Sequence, residues 1–141
     1  MSNIVLFDTC IYIPLIRQGK LLEFANQNSE KDVYLSVIVA QELYAGVQDP
    51  FTKRALHHFY SVFKKHNFLI TPSEQEWVFC GEILSEVGKQ YGFEIIKKSR
   101  LVNDVLIALS CKRIDATLIT SNLKDFKIIQ DFVKFQFTSP D

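Results

Sequence analysis

Short apolar runs alternate along the chain with longer stretches whose apolar residues recur every three or four positions, patterns that predict strands and helices respectively. Residues 3–7, Asn-Ile-Val-Leu-Phe, are brief, apolar and bounded by Asp8, which suits a fully buried strand. Asp8 and Thr9 are good caps and predict a strand-to-helix corner. Pro14 places the start of regular helix near Ile13, Gly19 marks its end, and residues 21–28 read as a second short helix. Residues 33–35 predict the next strand, with Ser36 capping a helix over 37–45 that Gly46 stops. Over 51–66, Ala55, Leu56, Phe59, Val62 and Phe63 fall at helical spacing. A brief strand over 68–70 leads to Pro72-Ser73, which introduce a long helix through Val87 with Trp77, Val78, Ile83, Leu84 and Val87 on its apolar face. Residues 91–99 carry no clear period. The segment 101–111 is apolar except for Asn103, Asp104 and Ser110, the pattern of a helix buried on most sides. A strand over 116–120, a helical turn over 122–126 and a final strand over 133–137 complete the pattern. Strands alternating with helices predict an α/β fold, a parallel sheet covered on both faces, and the chain reads as one domain over 1–141.

Composition narrows the class. Hydrophobic residues make up 48% and charged residues 23% of 141 residues, a globular balance with too little polarity for disorder. No apolar run approaches a membrane span, and the N-terminus lacks the charged region of a leader, so its apolar stretch is expected to be a strand. Cys10, Cys80 and Cys111 are odd in number and scattered; they suit a reducing cytosol, match no zinc spacing and are expected to pack in the core. With 16 basic and 16 acidic residues the net charge is zero, which argues against a protein that coats nucleic acid. It leaves room for an enzyme with a local carboxylate cluster.

The polar residues at predicted strand ends and helix starts supply candidates for such a cluster. In an open parallel sheet, ligands bind where loops converge at the carboxyl ends of strands. Asp8, Gln41-Glu42, Asn103-Asp104 and Thr120-Ser-Asn-Leu-Lys-Asp125 fall at such places. Singly, each has an ordinary reading: Asp8 as a cap, Glu42 as a solvated helix residue, Asp104 as a carboxylate favoured by the helix dipole, Asn122 and Asp125 as turn residues. Asp104 fits its ordinary reading least, being the only charge in an eleven-residue apolar segment. A buried carboxylate needs a counter-charge; Arg100 is the local candidate for an ion pair, and a metal is the other. Converging carboxylates favour a hard divalent cation such as Mg²⁺ or Mn²⁺. Such an ion activates water for attack at phosphorus. The residues alone thus point to a phosphodiesterase.

Their order and setting resemble the PIN-domain ribonucleases, especially the VapC-type toxins of bacterial toxin–antitoxin pairs, from Ile4 to about Phe137. Ile4-Val-Leu-Phe-Asp8-Thr looks like the family's opening strand followed by Asp-Thr or Asp-Ser. Leu35-Ser-Val-Ile-Val-Ala-Gln-Glu42-Leu-Tyr-Ala-Gly46 is similar to its Ser-led helix carrying Glu-Leu. Asn103-Asp104-Val-Leu-Ile-Ala108 looks like the third motif, and Ala116-Thr-Leu-Ile-Thr120-Ser-Asn122-Leu-Lys-Asp125-Phe126 like the fourth.

The resemblance implies a three-layer α/β/α domain around a mostly parallel five-stranded sheet. It implies Asp8, Glu42, Asp104 and Asp125 as catalytic, metal-holding acids, Thr9 and Thr120 as supporting hydroxyls, and Asn122 as an orienting group. The cofactor would be Mg²⁺ or Mn²⁺ and the reaction hydrolysis of RNA, such as tRNA, leaving a 5′-phosphate and a 3′-hydroxyl. Partners would be a cognate antitoxin that covers the site and a second copy of the chain, in the cytoplasm and without a membrane. Lys97, Lys98 and Arg100, just before the third motif, are the preferred RNA contacts, whereas His57 and His58 read as surface residues. Two phosphotransfer classes of similar build fail on residues: Cys10 stands where a haloacid-dehalogenase-type phosphatase has its second Asp, and Phe7 breaks the acidic pair of a receiver. A non-catalytic scaffold of the same fold, or an RNA-processing nuclease outside any toxin–antitoxin pair, is the alternative.

Overall fold

A computed structural model describes residues 3–98 and 101–140 of the chain. Strand β1 (Ile4–Phe7) runs into helix α1 (Thr9–Gln18), followed by α2 (Leu21–Gln27), β2 (Asp32–Ser36), α3 (Val37–Gly46) and α4 (Pro50–Lys65). Then come β3 (Leu69–Ile70), α5 (Glu74–Tyr91), α6 (Glu94–Lys98), α7 (Leu101–Ile114), β4 (Thr117–Ile119), α8 (Leu123–Gln130) and β5 (Gln136–Thr138).

The strands form one five-stranded sheet in the order β3-β2-β1-β4-β5. Every pairing is parallel; Leu6 lies opposite Tyr34 on one side and Leu118 on the other. From β1 the chain steps outward through β2 to β3, then returns across β1 to β4 and on to β5. Right-handed crossovers place these two sets of connections on opposite faces, so α1–α4 cover one face and α5–α8 the other. The helix contacts follow this division: α1 packs on α3 and α4, while α7 packs on α5, α6 and α8. The two layers meet where α3 touches α7.

Burial explains why these segments hold together. Leu6 in β1 and Leu118 in β4 are fully buried, as expected of central parallel strands. Helix α7 is buried nearly all round: Leu101, Val105, Leu106, Ile107, Ala108 and Cys111 are inaccessible. Truncating one such leucine to alanine in a core of this kind costs roughly 2–5 kcal/mol.

Several expectations change. Helix α1 starts at Thr9, not near Ile13, and contains Pro14. The Asp8 cap starts the helix five residues before Pro14, and the proline, which forfeits its own bond one turn back and crowds the carbonyl there, does not end it. The buried face of α5 is Cys80, Ile83 and Val87 with Leu84 beside it, whereas Trp77 and Val78 are exposed. Val78 points away from the stripe that runs through Cys80, Ile83 and Val87, whereas Trp77 lies in line with it but one turn before Cys80, the first buried residue of α5. Helix α8 runs four residues beyond the expected turn, to Gln130, and the last strand begins only at Gln136. Val133 and Phe135, expected in that strand, are buried in the loop before it.

Candidate functional site at the carboxyl edge of the sheet

The reversal of strand order falls between β1 and β4, and a crevice at such a switch point is where open α/β sheets bind ligands. Asp8 follows β1 and Thr120 follows β4 at this edge. The backbone holds them in register: the Asp8 N–H donates to the Ile119 carbonyl (2.9 Å) and the Thr120 N–H to the Thr138 carbonyl (3.0 Å). Asp8, Thr9, Asp104 and Thr120 are all buried, an unusual concentration of polar groups beside an apolar core.

Asp8 is the N-cap of α1, but only one of its oxygens serves the helix. Oδ1 accepts from the Thr9 N–H (2.8 Å), and Oδ2 accepts from the Thr120 hydroxyl (2.8 Å). The Thr120 oxygen in turn accepts from the Asn122 N–H (2.9 Å). Asn122 stands at the N-cap position of α8 without capping it. Its amide donates instead to Asp104 Oδ2 (3.3 Å) and Asp125 Oδ2 (3.2 Å). On the other side, the Thr9 hydroxyl donates to Glu42 Oε1 (2.5 Å), and the Asn103 amide donates to Glu42 Oε2 (3.2 Å).

The structure therefore brings Asp8, Thr9, Glu42, Asp104, Thr120, Asn122 and Asp125 into one connected hydrogen-bond network. Glu42 comes from α3 on one face of the sheet, Asp104 from α7 on the other. Ser36 makes this possible on the α3 side, its buried hydroxyl accepting from the Ile38 and Val39 N–H groups to start the helix at the end of β2.

Two participants lie outside the expected set. Asn103 was visible beside Asp104 but had no assigned partner, because only the fold brings α3 alongside α7. Cys10, expected in the core, is half-buried at the site, its sulfur 3.7 Å from Asp8 Oδ2 and accepting from the Ser121 N–H at 3.4 Å. Its place two residues after Asp8 on a capped helix was the available signal. Cys80 and Cys111 are buried as expected. Burial pushes the Cys80 thiol up to about 11. Burial, with the Asp8 charge adding to it, also pushes the Cys111 thiol up.

Arg100 lies outside the described residues, and only the backbone of Lys97 and Lys98, in α6, is described. His57 and His58 are exposed on α4, as expected. Beside Glu42 opens a cleft of about 310 Å³, lined by Ile13, Leu43 and Val47 with Arg17 and Asp49 among the polar residues.

Among the described residues, no three carboxylate, imidazole or thiol side chains form a preassembled metal-binding group. Neutral hydroxyls and amides link the acids, spacing like charges that would otherwise repel. The donor set is nonetheless chemically coherent: carboxylates backed by hydroxyl and amide groups provide oxygen ligands, which suit Mg²⁺ or Mn²⁺. Asp8, Glu42, Asp104 and Asp125 are the residues that could hold such an ion.

A family model described as PIN domain matches residues 5–131. A search of curated proteins gives no match. Among solved structures, the chain is similar to VapBC-1 from nontypeable Haemophilus influenzae, with 25% identity, a TM-score of 0.66 and coverage of 96% of this chain and 97% of that one. It is similar to VapBC2 from Rickettsia felis, solved bound to a DNA fragment from their promoter, with 26% identity, a TM-score of 0.64 and coverage of 98% and 99%. Similarity to DNA-bound VapBC from Salmonella typhimurium, at 20% identity, a TM-score of 0.64 and coverage of 99% and 98%, speaks to the fold alone.

Proposed function

The chain belongs to the PIN-domain family, and from that premise we propose that it is a divalent-metal-dependent endoribonuclease, the VapC-type toxin of a toxin–antitoxin pair. The observation that carries this reading is the single network joining Asp8, Glu42, Asp104 and Asp125 at the sheet's switch point. Similarity to VapBC structures supports the toxin–antitoxin setting.

Mg²⁺ or Mn²⁺, held by those carboxylates, would supply an activated water and charge stabilisation for in-line displacement at phosphorus. The chain's own residues prepare the site. Thr120 and the Thr9 N–H fix the two oxygens of Asp8, and the Thr9 hydroxyl holds Glu42. Asn122 bridges Asp104 and Asp125, which sets the spacing of the outer acids. Lys97, Lys98 and Arg100 remain our proposed phosphate contacts, by their place just before α7, and Arg17 adds a basic side chain in the cleft beside Glu42. The substrate is a structured RNA such as tRNA, cut to leave a 5′-phosphate and a 3′-hydroxyl in the cytoplasm. The active unit is a homodimer, silenced by an antitoxin that presents a basic side chain to the acids.

The test uses the purified chain free of antitoxin, incubated with total tRNA and Mg²⁺, Mn²⁺ or EDTA. Metal-dependent cutting that Asp8→Asn abolishes supports the reading. Cutting that survives Asp8→Asn belongs to a contaminant and sinks it; binding without cutting across metals and RNAs supports the non-catalytic scaffold.

A further inference from the structure

We infer that Asn103 is a positioning residue for Glu42, fixing the orientation of that carboxylate toward the metal; the inference rests on the nuclease reading above. Glu42 reaches the site on a side chain with several rotatable bonds, and a single hydrogen bond would leave its carboxylate free to swing about the held oxygen. Here the two oxygens are held separately. Thr9, in the first turn of α1, holds Oε1 at 2.5 Å; Asn103, in the first turn of α7, holds Oε2 at 3.2 Å. Donors from two different helices define the carboxylate plane as well as its position.

The placement of Asn103 supports this role. Asn is a poor residue inside helices because its side chain competes for local backbone groups. At the third position of α7 its amide instead reaches across to α3, 61 residues away in sequence. Successive helix residues point about 100° apart, so Asp104 meets Asn122 while Asn103 meets Glu42. One turn of α7 thus carries one acid of the site and orients another that arrives from the opposite face of the sheet. An amide is neutral and donates without adding charge, so it holds Glu42 without competing as an anion for the cation.

The experiment compares the full-length wild type, Asn103→Leu, Asn103→Ala, Glu42→Gln and Glu42→Gln combined with Asn103→Leu. Mn²⁺ affinity is read by calorimetric titration, kcat on tRNA by cleavage, and folding by metal-free melting. Asn103→Leu keeps the side-chain volume and removes the donor. Both Asn103 variants are expected to melt close to the wild type and to lose about tenfold in Mn²⁺ affinity, the effect of removing a group that orients a ligand. Cleavage should fall in step. In the Glu42→Gln background, Asn103→Leu should add less than about twofold, because residues that act through one another are not additive. An equal loss in that background, or wild-type Mn²⁺ affinity in both Asn103 variants, overturns the assignment while leaving the nuclease reading intact. A wild type that neither binds Mn²⁺ nor cuts RNA overturns both. Should the leucine variant fail to fold, the alanine variant decides the matter.

Discussion

Thr120 donates its hydroxyl to the Asp8 carboxylate at 2.8 Å, although 112 residues separate them in sequence. Both groups are buried, Thr120 completely. The same hydroxyl oxygen accepts from Asn122, so one threonine links the acid that follows β1 to the segment bearing Asp125. Thr120→Val, which keeps the shape and removes the oxygen, should cost roughly 1–3 kcal/mol in urea unfolding, because it strips buried groups of a partner. Metal-dependent cleavage should drop by about 10–100-fold, and Thr120→Ser should recover most of both. A valine variant as stable and active as the wild type would remove Thr120 from the site.

Tyr12 makes the opposite case. Among the described residues, its hydroxyl is the buried side-chain polar atom without a hydrogen-bond partner. Its ring is packed edge-on against Phe7, Phe24 and Phe59, in the wall of a cleft of about 330 Å³ between α1, α2 and α4. An unsatisfied buried hydroxyl is a cost, so Tyr12→Phe should leave stability unchanged or raise it by up to about 1 kcal/mol. Loss of more than that in chemical denaturation would reveal a partner for the hydroxyl.

The buried thiols give the chain a pH dependence on the alkaline side. Burial raises the Cys80 thiol from its ordinary 9.0 to about 11, raises Cys111 further with help from Asp8, and raises the Tyr12 phenol. Each group keeps its proton in the folded chain at pH values where the unfolded chain has lost it. Their contribution is therefore fully present below pH 9 and declines as pH rises toward 11. The slope approaches about 1.4 kcal/mol per pH unit for a fully protected thiol such as Cys111. Urea midpoints measured from pH 8 to 11 should fall, and should fall less steeply in Cys111→Ala. A flat profile in the wild type would contradict the protection of these groups.

The strand-and-helix alternation and the all-round burial of α7 were legible in the chain because both follow from local apolar patterning. Asp8, Asp104 and Asp125 were legible as candidates because each stands at a strand end or helix start where a polar residue needs a reason, whereas Glu42, in the middle of α3, drew its weight from the Ser-led Glu-Leu motif. What local pattern did not carry was the partner of each group. Pro14 outweighed the Asp8 cap in the sequence, yet the cap starts the helix. Trp77 and Val78 looked like core because they are large and apolar, but Val78 points away from the buried stripe and Trp77, in the first turn of α5, stands before its buried part begins at Cys80. Cys10 and Asn103 entered the site through contacts with Asp8 and Glu42. In both cases the neighbour in sequence, not the residue itself, bore the recognisable chemistry.

Asn122 yields a prediction in which stability and metal affinity move apart. Its amide donates to both Asp104 and Asp125, a neutral bridge between two acids. Asn122→Asp removes both donations and sets a third negative charge between them. Without metal the variant should be less stable by about 1–2 kcal/mol, since it loses hydrogen bonds and gains like-charge repulsion. A divalent cation reverses that balance, because the added carboxylate attracts what the other two attract. Mn²⁺ should therefore bind more tightly, and a tenfold gain in affinity raises the stabilisation at saturating metal by about 1.4 kcal/mol over the wild type. Thermal unfolding with EDTA and with excess Mn²⁺ separates the two effects. Asn122→Asp should melt below the wild type in EDTA, and Mn²⁺ should raise its melting temperature by more than it raises that of the wild type. Equal metal-induced shifts for the two proteins would mean that Asp104, Asp125 and residue 122 do not share one cation.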